Sequence, residues 1–253
     1  MIDYIFMKAI NEFKSLESHD RFRQFRIQKN IGHWHNFEVL YVFKTLVNQT
    51  LQYPITHVIE SGTASGRTTA LLALLLKHHP GSPKLVSIGY PDQVAAKKLE
   101  LHRLYENIVL ETGSAETVIQ KYRDNLESSV LLVDGPKPAV PDQAKPFADL
   151  FYTALECNVK HIYIQDCRRY KNVRNYAKVL QLFAQHPSFA NYKMIEIPDN
   201  FMSDQYKLMP RSFDLIKAVR RKPTIDVEFL YAVGISNVLH FIWDEKINAL
   251  NGI

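Results

Sequence analysis

Val58-Ile59-Glu60-Ser61-Gly62-Thr63-Ala64-Ser65-Gly66-Arg67-Thr68-Thr69 passes from an apolar run through a glycine turn into a helix-forming stretch. His57-Val58-Ile59 reads as a short buried strand. Thr68 to His78 reads as a helix, because its Ala70 to Leu76 run is made of strong helix formers. Glycine has no Cβ, so the backbone at such a turn can approach a ligand, and the helix start offers unpaired N–H groups. The spacing Glu-x-Gly-x-x-x-Gly is not the dinucleotide fingerprint Gly-x-Gly-x-x-Gly. It also lacks the Gly-Lys-Ser/Thr ending of a phosphate loop, which argues against a nucleoside triphosphate. With no ligand, the same residues would be a tight strand-to-helix turn.

Outward from this turn the chain alternates. Upstream, His35 to Leu51 carries apolar residues at helical spacing and Pro54 follows its end. Downstream come strands at Leu85–Ile88, Ile108–Glu111, Val130–Val133 and His161–Ile164. Between and after them the spacing predicts helices at Gln93–Tyr105, Ala115–Asn125, Asp142–Glu156 and Val173–Gln185. Lys193–Ile197 and Phe213–Val219, with only a loop between them, read as an antiparallel edge hairpin. Asp226 to Leu250 reads as a long amphipathic C-terminal helix. Strands alternating with helices predict an α/β fold, a Rossmann-like doubly wound sheet of about seven strands, mostly parallel. No repeat or linker composition divides residues 1–253, so a single domain is expected, with residues 1–36 as an N-terminal helical or flap segment.

The apolar share of 46% is that of an ordinary globular chain. Cys157 and Cys167 allow at most one bridge, which fits a reducing, cytoplasmic setting. No signal-peptide pattern opens the chain, and Phe229 to Trp243 is interrupted by Ser236, Asn237 and His240, too short for a membrane span. A net charge of +5 distributed over 31 basic residues is weak evidence for a polyanionic partner, so nucleic-acid binding is not expected.

With Thr68 completing it, Glu60-x-Gly62-x-x-x-Gly66 resembles the first motif of the class I S-adenosylmethionine-dependent methyltransferases, in particular the catechol and caffeoyl-CoA type O-methyltransferases. The resemblance implies that Glu60, Gly62, Thr63, Ala64, Ser65, Gly66 and Thr68 cradle S-adenosylmethionine. Gly113-Ser114-Ala115 matches the third strand's end, where Ser114 and Ala115 would flank the adenine. Asp134-Gly135-Pro136-Lys137 matches the Asp-x-x-Lys pattern, in which Asp134 is a catalytic metal ligand and Lys137 the general base. Asp166, after the fifth strand, would be a second ligand to magnesium or another divalent cation. The implied activity is metal-assisted O-methylation of a small hydroxylated acceptor.

The sequence departs from this pattern at two positions. Gly89 stands where the family carries the acid that binds the ribose, and Asp92 lies three residues on, from where it would have to reach back. Cys167 stands where an Asn ligand is usual. These departures also fit a catalytically inactive methyltransferase-like binding or assembly module, with the C-terminal helix as its partner surface or as a homodimer contact. His33 and His35 flank Trp34 in a segment without a completing metal ligand, which reads as a surface loop or as a flap whose Trp34 covers a ligand. Phe201, Met202, Tyr206 and Met209 read either as a substrate wall or as the hydrophobic edge of the hairpin. The Asn/Asp-Pro-Pro-aromatic signature of base N-methyltransferases and the Gly-x-Ser-x-Gly elbow of hydrolases are both absent.

Overall fold

The computed structural model describes residues 54–64, 66–95, 98–165, 167, 173–196 and 238–244, with scattered helical positions before residue 16. Its centre is a seven-stranded sheet. The strands are β1 (His57–Ser61), β2 (Lys84–Gly89), β3 (Ile108–Thr112), β4 (Ser129–Val133), β5 (His161–Ile164), β6 (Tyr192–Glu196) and β7 (Leu239–Trp243). Their order is β3-β2-β1-β4-β5-β7-β6. β1 to β5 run parallel, and β7 is antiparallel to both its neighbours. The helices are α1 (Arg67–Lys77), α2 (Pro91–Ala95), α3 (Lys98–Leu104), α4 (Ala115–Val118), α5 (Pro141–Glu156) and α6 (Val173–Gln185). This is the expected Rossmann-like, doubly wound α/β architecture.

Registers across the sheet sort its residues onto two faces. Ile59 pairs with Val86 and Leu131, Leu131 with Ile162, and Ile162 with Phe241. Side chains in one register row share a face, and this row packs with Phe147, Leu150, Phe151 and Ala154 of α5 and Val179 of α6 in one core. The opposite row runs Ser87, Glu60, Leu132, Tyr163 and His240. On this side α1 is buried all round from Ala70 to Leu76, as a helix that is apolar on every face must be.

Two expectations are corrected. The Asp226–Leu250 helix is overturned at residues 239–243, which form β7, with Leu239, His240 and Phe241 at most 1% exposed inside the sheet. The partner surface and dimer contact assigned to that helix lose their basis there. β6 therefore pairs with Leu239–Trp243, whereas Phe213–Val219 lies outside the described residues. The predicted Ala115–Asn125 helix is one turn of α4 continued as a 3₁₀ segment over Ile119–Ser128. The 35–51 helix also lies outside the described residues. Among the described residues no helix is long and apolar enough to cross a membrane.

Candidate functional site

β1 and β4 are neighbours in the sheet, while the chain leaves β1 toward β2 on the other side. This reversal of strand order is where open α/β sheets bind ligands, beyond the carboxyl ends of the strands. Here β1 is followed directly by Gly62, at φ 110°. A Cβ on Gly62 would stand 3.1 Å from the Gly135 nitrogen and 3.3 Å from the Asp134 carbonyl carbon. Both its backbone angle and its neighbours require glycine. The turn is tied to both sides: Gly62 and Thr63 N–H donate to the Ile88 carbonyl at 2.9 and 3.0 Å, and Asp134 and Gly135 N–H donate to the Ser61 carbonyl at 2.9 and 3.0 Å. Gly66, at φ 75°, then starts α1.

Above this turn opens a cleft of about 320 Å³, a size that suits a small-molecule cofactor. Gly62 and Ala64 line it from the β1 end, Gly89 and Tyr90 from β2, Gly113, Ser114 and Ala115 from β3 and α4, and Asp134 from β4. Of the expected cofactor residues, the structure therefore brings Gly62, Ala64, Ser114 and Ala115 to one cavity.

The others lie elsewhere. Glu60 is fully buried beneath the turn. Its Oε2 accepts from the Thr69 hydroxyl at 2.5 Å and from the Ser87 hydroxyl at 2.6 Å, and its Oε1 has no hydrogen-bond partner among the described residues. Burial, helped by the nearby Asp134 charge, pushes the Glu60 carboxyl up to about 7 against the pull of both hydroxyls. Thr63 Oγ1 lies 2.8 Å from Ser87 Oγ and joins the same hydroxyl network. Thr68 is buried in α1, Gly66 is buried at its start, and Asp92 is exposed in the first turn of α2 without lining the cleft. Ser65 lies outside the described residues. Glu60, Thr63 and Thr69 thus hold the turn from below.

At the β4 end, Lys137 Nζ donates to Asp134 Oδ1 at 2.9 Å, and the Lys137 backbone N–H donates to Gln143 Oε1 at 2.8 Å. The aspartate and lysine of the Asp-x-x-Lys pattern meet as an ion pair, and Asp134 is the member that lines the cleft. Asp166 lies outside the described residues. Cys167 is buried with its thiol 3.8 Å from the Gln165 carbonyl. Among the described residues no group of three His, Cys, Asp or Glu side chains gathers to hold a metal. Of the expected hard ligands they supply Asp134 alone.

Sequence reasoning missed Tyr90, Glu116, Asp142 and Gln143, which also line the cleft. Tyr90 follows the β2 end directly and is 68% exposed, so its place after a strand terminus was the available signal. Asp142 and Gln143 arrive through the packing of α5 onto α4, which no local pattern encodes. Trp34 with its flanking histidines and the 198–210 loop fall outside the described residues.

Comparison with known proteins places the fold. The crystal structure of an O-methyltransferase from Bacillus cereus in complex with SAH matches with a TM-score of 0.52 at 12% identity, over 95% of this chain and 91% of that one. Cofactor-bound Rv0187 from MTB matches with a TM-score of 0.52 at 11% identity, over 93% of this chain and 89% of that one. At such identities the likeness is one of fold. No protein-family model and no curated protein matches the sequence.

Proposed function

We propose that the chain is an S-adenosylmethionine-dependent methyltransferase acting on a hydroxyl group of a small molecule. The observation that carries this reading is the glycine-walled cleft at the strand-order reversal, where Gly62, Gly89 and Gly113 bring three strand ends against one cavity. The Bacillus cereus neighbour of the same fold is in complex with SAH, which supports the choice of ligand. S-adenosylmethionine supplies an electrophilic methyl group on sulfur when bound. The residues present fit it: Gly62 and Ala64 border the cleft over the turn that leads into α1, and Ser114 and Ala115 form the wall that would take the adenine.

The protein's own part is to align the acceptor oxygen and remove its proton. Lys137 Nζ, paired with the cleft-lining Asp134, is the base in this reading. It donates to Asp134 Oδ1 at 2.9 Å, so the acceptor must compete for Asp134 before Nζ can take its proton. A divalent cation held by Asp134 and Asp166 belongs to the proposal as well; the described residues provide only the first of these ligands.

Calorimetry with S-adenosylmethionine and S-adenosylhomocysteine tests the cofactor directly, and saturable binding is expected. Gly62→Val should abolish it, because the side chain would meet the β4 backbone and the backbone angle would be strained. Undiminished binding by a folded Gly62→Val protein would place the ligand elsewhere. With an acceptor found by screening hydroxylated aromatics, Lys137→Met should cut turnover by roughly 10²–10⁴-fold at nearly constant cofactor affinity. Unchanged turnover would remove the base, and turnover indifferent to EDTA would remove the cation.

A further inference from the structure

The β2 end departs from the acid-bearing pattern for a reason visible in the packing. A Cβ on Gly89 would stand 2.7 Å from Thr63 Oγ1 and 2.8 Å from Thr63 Cβ. Thr63 is 2% exposed and its hydroxyl is bonded to Ser87, so this short, branched side chain has nowhere to move. No side chain fits at Gly89 while Thr63 is present. The backbone acceptors there are also engaged: the Ile88 carbonyl accepts from both Gly62 and Thr63, and the Gly89 carbonyl accepts from Gly113 N–H at 3.2 Å. The serine hydroxyls lining the cleft donate within the protein, Ser61 to the Gly135 carbonyl and Ser114 to Thr117. The lining carboxylates come from other walls, Asp134 from β4 and Glu116 and Asp142 from where α4 and α5 pack together.

We propose that the Thr63–Gly89 pair leaves the β2 end of this cleft without an acid for the ribose diol of an adenosyl ligand, so that the described residues hold the sugar there by contact with glycine walls and Tyr90 and without a charge-assisted hydrogen bond. The inference rests on the cleft being the S-adenosylmethionine site. It makes Thr63 the residue that sets sugar selectivity, by occupying the space an acidic side chain at the β2 end would need.

The test is calorimetry of the full chain with S-adenosylhomocysteine and with its 2′-deoxy and 3′-deoxy derivatives. Expected are dissociation constants within about threefold of one another, where a charge-assisted hydrogen bond to the diol would separate them roughly 10- to 100-fold. The double variant Thr63→Gly/Gly89→Asp, which vacates the space and fills it with a carboxylate, should gain a preference of about tenfold for the diol-bearing ligand. Should that variant fail to fold, the analogue series on the parent still decides. A tenfold or greater loss with either deoxy derivative on the parent overturns the inference alone. Failure of the parent to bind any of the three ligands overturns the functional reading and the inference together.

Discussion

Glu60 concentrates the physics of the site in one side chain. A carboxyl raised to about 7 from 4.5 keeps its proton in the folded chain at pH values where the unfolded chain has lost it. This protonation favours folding below pH 4.5, and the advantage is lost as pH rises through about 7. Glu60→Gln keeps an oxygen for the Thr69 and Ser87 hydroxyls and cannot ionise. Urea unfolding should find the variant close to the parent near pH 4.5 and more stable above pH 7, by on the order of 3 kcal/mol. Equal stability of the two proteins at pH 8 would show that Glu60 ionises freely in the folded chain. This role was not legible in the sequence. The glycine spacing marks Glu60 as part of the turn, but Ser87 joins it only through the β1–β2 register, and Thr69 only through the placement of α1 on that face. The Thr63–Gly89 exclusion is hidden for the same reason, since it lies between residues distant in sequence.

At the scale of elements, the strands and helices that carry their own period were legible. His161–Ile164 and Val173–Gln185 fall where the sequence places them, and the other parallel strands extend by a residue or two. β7 was not legible, and the cause is burial on both faces. Leu239-His240-Phe241-Ile242-Trp243 is a nearly continuous apolar run, which periodicity alone cannot tell from a buried helix. The strand has a measurable consequence. Phe241 is fully buried, with its ring 4.6 Å from that of Phe183 and 5.3 Å from that of Phe151. Removing it leaves a cavity between the sheet and both covering helices, so Phe241→Ala should cost about 3–5 kcal/mol in chemical denaturation. A loss under about 1 kcal/mol would mean that residue 241 does not lie in this core.

Across the whole molecule, the face of the sheet that carries Glu60 also carries a histidine pair, and the two respond to pH in opposite directions. His161 Nδ1 and His240 Nε2 lie 2.9 Å apart, and Tyr163 stacks on His240 at 4.0 Å. One nitrogen of the pair must donate and the other accept, so the accepting ring is neutral. Burial holds His161 down at about 4 and His240 well below its ordinary 6.5, and it lowers His57 and His79 as well. Above pH 6.5 these groups are neutral folded or unfolded and impose no pH dependence. As pH falls from 6.5 toward 4, the unfolded chain takes up protons that the folded chain refuses, and stability declines. In the shared window, between about pH 4.5 and 6.5, protonation of Glu60 works the other way and partly masks that decline. Glu60→Gln should therefore steepen the acid-side loss of stability, by about 1.4 kcal/mol per pH unit at most. His161→Phe/His240→Phe should flatten it, leaving the remaining histidines opposed by Glu60. A pH series of urea midpoints on the parent and both variants reads these slopes directly. A double-histidine variant that lost stability between pH 6.5 and 4.5 as steeply as the parent would mean that the buried pair is not what makes the fold acid-sensitive.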